Sequence, residues 1–346
     1  MPRITLFLLV TALAGCSGLL GLKDVTFVGG DGGTGGADGQ QPDAAPAPDL
    51  YWAELPMACD STAIRRMAID GTTPFNVLML PPPDEIQDLA VDQIGQKIYY
   101  SYSGSSANQM EDVERVNLDG SAREPLKTYG TRPSPVGVDV DPAADTIYWI
   151  ANEGCSPCPS ASCACSTIQK ARRDGSSAQT VYTITGTFNP RMVAVDPQAR
   201  KLYWSDTQFA PQIQRANVDG SMIEPVYTKP ASPDGGGVDV LQVDLVGHKL
   251  YWLEHALSIN GVASIQRSNL DGSSVERIVF PLGGAQDVYP RGLAVDAASG
   301  KLYWTESNFC GAATSGRIRR ANLDGSGVET VISGLGVLVS IRIVHK

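Results

Sequence analysis

The chain has 346 residues, 42% of them hydrophobic and 18% charged, which is a globular composition with length for one large or two medium domains. Its formal net charge is −10 at pH 7. An excess of negative charge argues against a polyanion such as DNA as a partner, so we expect no nucleic-acid ligand.

The first fifteen residues have the features of an export signal. Arg3 precedes an apolar run over residues 4–10, and Leu-Ala-Gly at 13–15 precedes Cys16. This run is too short to span a membrane, and small residues before a cleavage point are typical of secretory signals. The Leu-Ala-Gly-Cys sequence resembles a bacterial lipobox, which implies that Cys16 becomes the lipid-bearing N-terminus. The alternative is a plain signal peptide with an incidental cysteine.

Residues 16–48 are predicted to be a flexible tether. Seven of the 21 residues from 29 to 49 are Gly, and none is large and apolar, so the segment cannot bury enough surface to order itself. Its Asp-Gly pairs could indicate a calcium loop, but no Glu completes a twelve-residue ligand set. The lipobox resemblance, with Ser17 where inner-membrane lipoproteins carry Asp, implies an anchor in the outer membrane.

Residues 49–346 contain a repeat. Tyr-Trp or Tyr-Tyr pairs recur at intervals of 48, 49, 55, 48 and 52 residues, beginning at Tyr51, Tyr99, Tyr148, Tyr203, Tyr251 and Tyr303. An Asp-Gly signature follows each pair. Six units of about 50 residues, each with room for four short strands, predict an all-β fold, a six-bladed β-propeller.

The fourth unit shows the four predicted strands. Alternating apolar residues and an Asp-Gly turn at 219–220 place them at 192–196, 201–205, 213–218 and 223–228. Five first strands end in Asp, but the first Tyr-Trp pair has none before it. The C-terminal residues 336–344 have the pattern of a first strand without a second. We therefore predict that this tail pairs with the strand containing Tyr51 and closes the ring.

These motifs carry a family resemblance. KLYWSD at Lys201, KLYWTE at Lys301 and the I-x-R-x-N-L-D-G-S runs at Ile265 and Ile318 resemble the YWTD, or class B, repeats of the low-density lipoprotein receptor. The resemblance implies a recognition or structural module without catalysis or cofactor. Its fourth motif position, an Asp that bonds backbone between blades in the family, departs from the pattern in five blades: Glu54, Tyr102, Ala151, Glu254 and Glu306.

Seven cysteines remain to be assigned. With Cys16 lipidated, an even six are left, and four lie in an insertion over residues 154–166: Cys155, Cys158, Cys163 and Cys165. Clustered thiolates can hold zinc, but the unequal C-x-x-C and C-x-C arms and an oxidising compartment favour two local disulfides of undetermined connectivity. Cys59 and Cys310 each follow a Tyr-Trp pair by about seven residues, so closure of the ring predicts a disulfide between them.

Catalysis finds little support in the sequence. None of the three histidines lies in a nucleophile, metal or acid-base motif. The Lys or Arg repeated in every third strand and the Asp that ends each first strand are interpreted as structural. The alternative is a metal-dependent lactonase or hydrolase of the six-bladed type, for which the channel offers Asp88, Asp139, Asp239 and Gln242. We predict no metal site.

A ligand is expected on the face that carries the loops into the first strands. The position five residues before the strand-ending Asp varies among blades: Gln87, Val136, Arg191, Asp239 and Arg291. Phe188 precedes Arg191 and Tyr289 precedes Arg291, each with an intervening proline. Aromatic and arginine side chains dominate interface hot spots. We predict a protein or glycan ligand at the cell envelope and a monomeric chain. The alternative is that the arginines only pair with nearby acids.

Overall fold

A computed structural model describes residues 47–55, 62–71, 73–82, 84–103, 111–129, 133–152, 164–185, 190–206, 212–230, 236–255, 263–282, 289–307 and 316–346. The export signal, nearly all of the linker, Phe188 and the cysteines at 16, 59, 155, 158, 163 and 310 lie outside these ranges, and so do the side chains of Cys165 and Tyr289. The predictions made for them remain predictions. No helix in the described part of the chain is long and apolar enough to cross a membrane.

In these described ranges, twenty-four strands form six four-stranded antiparallel sheets, which are the blades. Blade 1 combines the C-terminal strand with three N-terminal ones in the order β24 (Val337–Val344), β1 (Asp49–Leu55), β2 (Thr62–Ala68) and β3 (Phe75–Leu80). Blade 2 is β4 (Glu85–Asp92), β5 (Lys97–Ser103), β6 (Glu111–Asn117) and β7 (Glu124–Tyr129). Blade 3 is β8 (Ser134–Asp141), β9 (Thr146–Asn152), β10 (Ala164–Arg172) and β11 (Gln179–Thr185).

Blades 4 to 6 follow the chain in the same way. Blade 4 is β12 (Pro190–Asp196), β13 (Lys201–Asp206), β14 (Gln212–Asn217) and β15 (Glu224–Thr228). Blade 5 is β16 (Val238–Asp244), β17 (Lys249–Glu254), β18 (Ala263–Asn269) and β19 (Glu276–Leu282). Blade 6 is β20 (Tyr289–Asp296), β21 (Lys301–Ser307), β22 (Gly316–Asn322) and β23 (Glu329–Leu335). The predicted strands of blade 4 therefore agree with the observed ones to within two residues.

The ring is closed as predicted. β24 pairs antiparallel with β1, so that Trp52 lies opposite Ile341, and the inner strands β4, β8, β12, β16, β20 and β24 neighbour one another around a full circle. The tail strand also packs against blade 6. An apolar cluster joins Trp52 and Ile341 to Tyr303 of that blade.

The aromatic pairs form the interfaces between blades. In β13, Tyr203 packs towards blade 5 and Trp204 towards blade 3, because successive strand residues point to opposite faces of the sheet. Both rings are about 1% exposed. Burying a ring of about 200 Å² contributes up to about 5 kcal/mol of transfer free energy, which explains why the pair recurs in every blade.

A second repeated contact joins the outer parts of the blades. In blades 2 to 5 the Lys or Arg of the third strand donates to the carbonyl that begins the Asp-Gly turn of the next blade. The hydroxyl of Tyr203 donates to the same carbonyl as Arg215. The bonds are Arg115 to Arg173 at 2.7 Å, Lys170 to Val218 at 3.3 Å, Arg215 to Leu270 at 2.8 Å and Arg267 to Leu323 at 2.8 Å. We call this contact the outer clamp. It confirms the structural role predicted for these cations.

The acids that end the first strands also have the turn role that was predicted. Asp244 accepts hydrogen bonds from the amides of Val246 and Gly247 at 2.9 and 2.8 Å, and the other four acids bond their turns in the same way. These carboxylates satisfy amides that the tight connection leaves without a ladder partner.

At the fourth motif position, glutamate replaces the family's Asp, and its side chain is one methylene longer. Glu54 accepts the indole N–H of Trp52 at 2.9 Å and the backbone N–H of Gly336 at 2.8 Å, where the chain leaves blade 6. Glu306 accepts the indole N–H of Trp304 at 2.8 Å. In blade 1 the acid therefore still bonds backbone at a blade junction.

Candidate functional site

Every inner strand has an irregular register near its start. In β12, Pro190 lies opposite Asp206 and Val193 opposite Trp204, so Arg191 and Met192 share the space opposite Ser205. Equivalent shifts occur in β4, β8, β16, β20 and β24. A bulge bends the strand and redirects a side chain, and here it does so at the rim of the channel.

The variable position singled out in the sequence lies in the bulge of every blade. The six residues are Gln87, Val136, Arg191, Asp239, Arg291 and Val339, which we call the mouth ring. Together with Met192 and Val240 they line one cavity of about 60 Å³, which has room for a few water molecules. The structure thus brings together Gln87, Arg191, Asp239 and Arg291, all four of the proposed binding residues whose side chains it describes.

Buried hydroxyl groups hold these bulges in place. The hydroxyl of Ser205 accepts the amide of Met192 at 3.2 Å and donates to the backbone carbonyl of Asp239 in the next blade at 2.9 Å. In blade 6, Thr305 accepts the amide of Gly292 at 2.8 Å. Backbone amides displaced from the strand ladder therefore have hydrogen-bond partners. These bonds hold the backbone of the bulges that carry the mouth ring.

The mouth ring carries two cations and one anion. Arg191 and Asp239 form an ion pair at 3.5 Å, with 42% and 26% of their side-chain surfaces exposed. Burial lowers the pKa of Arg291, which the charge of Asp239 partly offsets and that of Arg191 reinforces. Nearby, burial also lowers the pKa of His255, which favours the neutral imidazole at pH 7. The ion pair matches the alternative that an arginine here pairs with a nearby acid.

Gln87 is held at the edge of the ring. Its side-chain amide donates to the hydroxyl of Ser103 at 2.9 Å and to the carbonyl of Glu85 at 3.3 Å. The amide oxygen is an acceptor that these two bonds do not use. A ligand at the mouth would therefore meet guanidinium, carboxylate and carboxamide groups from four different blades.

The channel acids considered for a metal enzyme are engaged with the protein. Asp88 is fully buried, pairs with Arg342 at 3.1 Å and accepts the amide of Val138 in blade 3 at 3.1 Å. Asp139 accepts the amide of Val195 in blade 4 at 2.8 Å. Each acid thus joins its own inner strand to the next. Among the residues that the structure describes, no group of three or more His, Cys, Asp or Glu side chains is placed to hold a metal ion.

Two residues of this region, Val339 and Arg342, were not identified from the sequence. Val339 completes the mouth ring, but its strand ends at Val344 rather than at an Asp, so alignment on that acid misses it. Aligning the tail on its alternating apolar residues would have found it. Arg342 lies 254 positions from Asp88, and only closure of the ring brings the two together.

Comparisons with known proteins agree with this architecture. The chain is 32% identical over 164 residues to protein cueball of Drosophila grimshawi, covering 47% of this chain and 25% of that protein. It is 29% identical over 188 residues to low-density lipoprotein receptor-related protein 1 of Pyricularia oryzae, covering 51% and 58%. No family model matches the chain. The alignments thus span from a quarter to somewhat over half of the length of these relatives.

Solved structures show the same fold at lower identity. A chain of a nidogen/laminin complex superposes with a TM-score of 0.63 at 20% identity, covering 86% of this chain and 98% of that one. The periplasmic gluconolactonase of Pseudomonas aeruginosa superposes with a TM-score of 0.56 at 12% identity, covering 86% and 99%. The chain is therefore a six-bladed β-propeller. Its sequence relatives confirm the resemblance to YWTD-type repeats of the low-density lipoprotein receptor class.

Proposed function

We propose that the protein is a non-catalytic binding module whose mouth ring recognises a protein or glycan ligand. The observation that carries the proposal is the set of six bulges, which direct one variable side chain from each blade into the channel mouth. Side chains that serve the fold alone recur from blade to blade, as the outer clamp does. The mouth ring instead has four residue types at its six positions, and such variation is typical of a recognition surface.

The kinship with receptor-type propellers supports the same class of function. One sequence relative is a receptor-related protein, and one structural neighbour was solved in a complex with a protein partner. The metal-dependent lactonase or hydrolase has less support, because Asp88 is bonded to blade 3 and paired with Arg342, and Asp139 is bonded to blade 4. Asp239 pairs with Arg191.

The site of action in this proposal is the bacterial envelope. The export signal and the lipobox-like sequence at Cys16 would anchor a monomer in the outer membrane, and the linker would hold the propeller away from the bilayer. Labelling cells with a clickable palmitate analogue tests this anchor. Incorporation into the wild-type protein and its loss in Cys16→Ser are expected, and labelling of both proteins would contradict lipidation at Cys16.

The mouth ring is tested by Arg191→Ala combined with Arg291→Ala. We expect recovery of an envelope partner in pull-downs to fall by about tenfold, because truncating an interface arginine costs more than about 1 kcal/mol and two are removed. Arg200→Ala is the matched control, since this exposed arginine of blade 4 lies in the turn at the opposite end of the inner strand. Equal recovery with both variants, at unchanged melting temperature, would remove the mouth ring as the binding site.

A further inference from the structure

The junction between blades 1 and 2 lacks the acid arrangement that four other blades have beside the third-strand arginine. In blades 2, 4, 5 and 6 the third-strand arginine pairs with a Glu that begins the fourth strand: Glu124, Glu224, Glu276 or Glu329. In blade 1 that position is Phe75, which lies opposite Arg66. The acid of blade 1 comes instead from Asp49, at a position where four of the other blades have Lys.

With Asp49 as its acid, Arg66 lies against the residues of its own blade. Arg66 donates from Nε to Asp49 at 2.8 Å and lies 5.5 Å from the ring centres of both Tyr51 and Phe75. Asp49 is 2% exposed and also pairs with Lys346 at 3.1 Å. The carbonyl of Leu118, to which an outer clamp would donate, accepts the Tyr51 hydroxyl at 3.4 Å. The cation is thus held against its own blade rather than across the junction.

A cavity of about 780 Å³ lies at this junction, within the range of roughly 300 to 1,000 Å³ that is typical of small-molecule sites. It is at the opposite end of the inner strands from the mouth ring. Its walls come from blade 1 and from two turns of blade 2, and its polar lining includes Arg66, Gln93, Gln96, Asn117 and Lys346. We call it the blade 1–2 cleft.

The chemistry of the lining indicates the kind of ligand. The carboxylates of Asp49 and Asp119 balance the cations of Arg66 and Lys346, so the cleft has no strong field of one sign. The side-chain amides of Gln93 and Gln96 donate to the backbone carbonyls of Ile343 and Gln93, so their carboxamide oxygens remain to accept from the hydroxyl groups of a sugar. Of the five turns between first and second strands, only the turn of blade 2, Gln-Ile-Gly-Gln, has carboxamides at its first and fourth positions.

Apolar side chains complete the lining. Ile94 and Val344 border the cleft, and Ile94 is 82% exposed. Such side chains suit the C–H faces of a pyranose ring. We propose that the blade 1–2 cleft binds a neutral saccharide of one or two rings. This site is independent of the mouth ring and of any partner that binds there.

Saturation-transfer difference NMR on the full chain tests the proposal, with glucose, N-acetylglucosamine and maltose as probes. Citrate and spermidine are the charged comparison ligands. We expect at least one saccharide to bind. The variant Gln93→Ala/Gln96→Gly places the residues of the blade 6 turn, Ala297 and Gly300, in blade 2, and should weaken saccharide binding by about tenfold or more through lost hydrogen bonds. The control Gln198→Ala removes an exposed turn carboxamide of blade 4 and should bind as the wild type does.

A second variant restores the pattern of the other blades. Asp49→Lys/Phe75→Glu provides Arg66 with an acid on the fourth strand, which should let it reach the carbonyl of Leu118 and narrow the cleft. Saccharide binding should then be lost. If Asp49→Lys/Phe75→Glu does not fold, the comparison of wild type with the turn variant, Gln93→Ala/Gln96→Gly, tests the proposal. Failure of all three saccharides to bind, binding of citrate or spermidine alone, or equal binding by wild type and turn variant would overturn the proposal.

Discussion

At the scale of single residues, Asp139 provides a titration that reports on the channel. Burial raises the pKa of Asp139 to about 6, while the amide of Val195 and the charge of Arg342 lower it and Asp88 raises it. The pKa of an Asp in an unfolded chain is about 3.9, so the folded protein binds this proton more tightly. The contribution of Asp139 to the free energy of unfolding therefore falls as pH rises from about 4 to about 6, by on the order of 3 kcal/mol.

We expect the ¹³C resonance of the Asp139 carboxyl group to titrate near pH 6. Arg342→Met should raise this midpoint, because the cation that favours the carboxylate is removed, whereas Arg342→Lys should leave it close to the wild-type value. A wild-type midpoint near 4, or the same midpoint in both variants, would contradict the position of this partly buried acid between Arg342 and blade 4.

At the scale of elements, the glycine of each Asp-Gly turn sets how closely two blades approach. Gly272 has φ of +84°, and a Cβ there would lie 1.9 Å from the carbonyl oxygen of Val226 in the preceding blade. Gly334 has a similar φ of +80° but no atom within 4 Å of a Cβ. Gly334→Ala therefore adds backbone strain alone, and Gly272→Ala adds a clash between blades.

The two variants form a matched pair for urea unfolding. Gly334→Ala should cost about 1 kcal/mol, and Gly272→Ala at least about 2 kcal/mol more, because the outer strand of blade 4 has to move away. Equal losses would show that conformational freedom, not the close approach of blades, explains the glycine.

The repeat made most elements of this fold predictable. Six copies of one pattern average out local ambiguity, so the strands of blade 4 were located to within two residues and the closure of the ring was predicted from an unpaired tail. The bulges were not predicted, because an extra residue changes the pairing but not the alternation of apolar side chains. For this reason β12 begins at Pro190, two residues before the predicted start at Met192.

The sites were predictable only where they depart from the repeat at an alignable position. Gln87, Arg191, Asp239 and Arg291 varied while their neighbours did not. The blade 1–2 cleft depends on Asp49 and Phe75, which lie in different strands, and neither change is informative until Arg66 is seen between them. Contacts such as Arg342 with Asp88 join parts of the chain that only the closed ring brings together.

At the scale of the whole molecule, stability depends on one strand taken from the far end of the chain. β24 fills the inner position of blade 1, packs beside β20 and β4, and contributes Arg342 to Asp88. Gly336, just before this strand, donates its amide to Glu54. Without it, β1 would be an open edge next to the channel and Trp52 would lose part of its apolar cover. An unpaired strand edge with exposed apolar surface favours aggregation.

Deleting residues 335–346 should therefore abolish the cooperative melting transition rather than only lower its midpoint. Near-UV circular dichroism follows the packing of the buried Trp rings, and size-exclusion chromatography follows aggregation. A synthetic peptide of residues 335–346, added in excess, should restore part of the near-UV signal because it can occupy the inner position of blade 1. A peptide with the same composition in scrambled order should not, since a changed order puts the apolar side chains on the wrong face of the strand. A truncated protein that melts as the full chain does would show that the other five blades hold the ring without the closing strand.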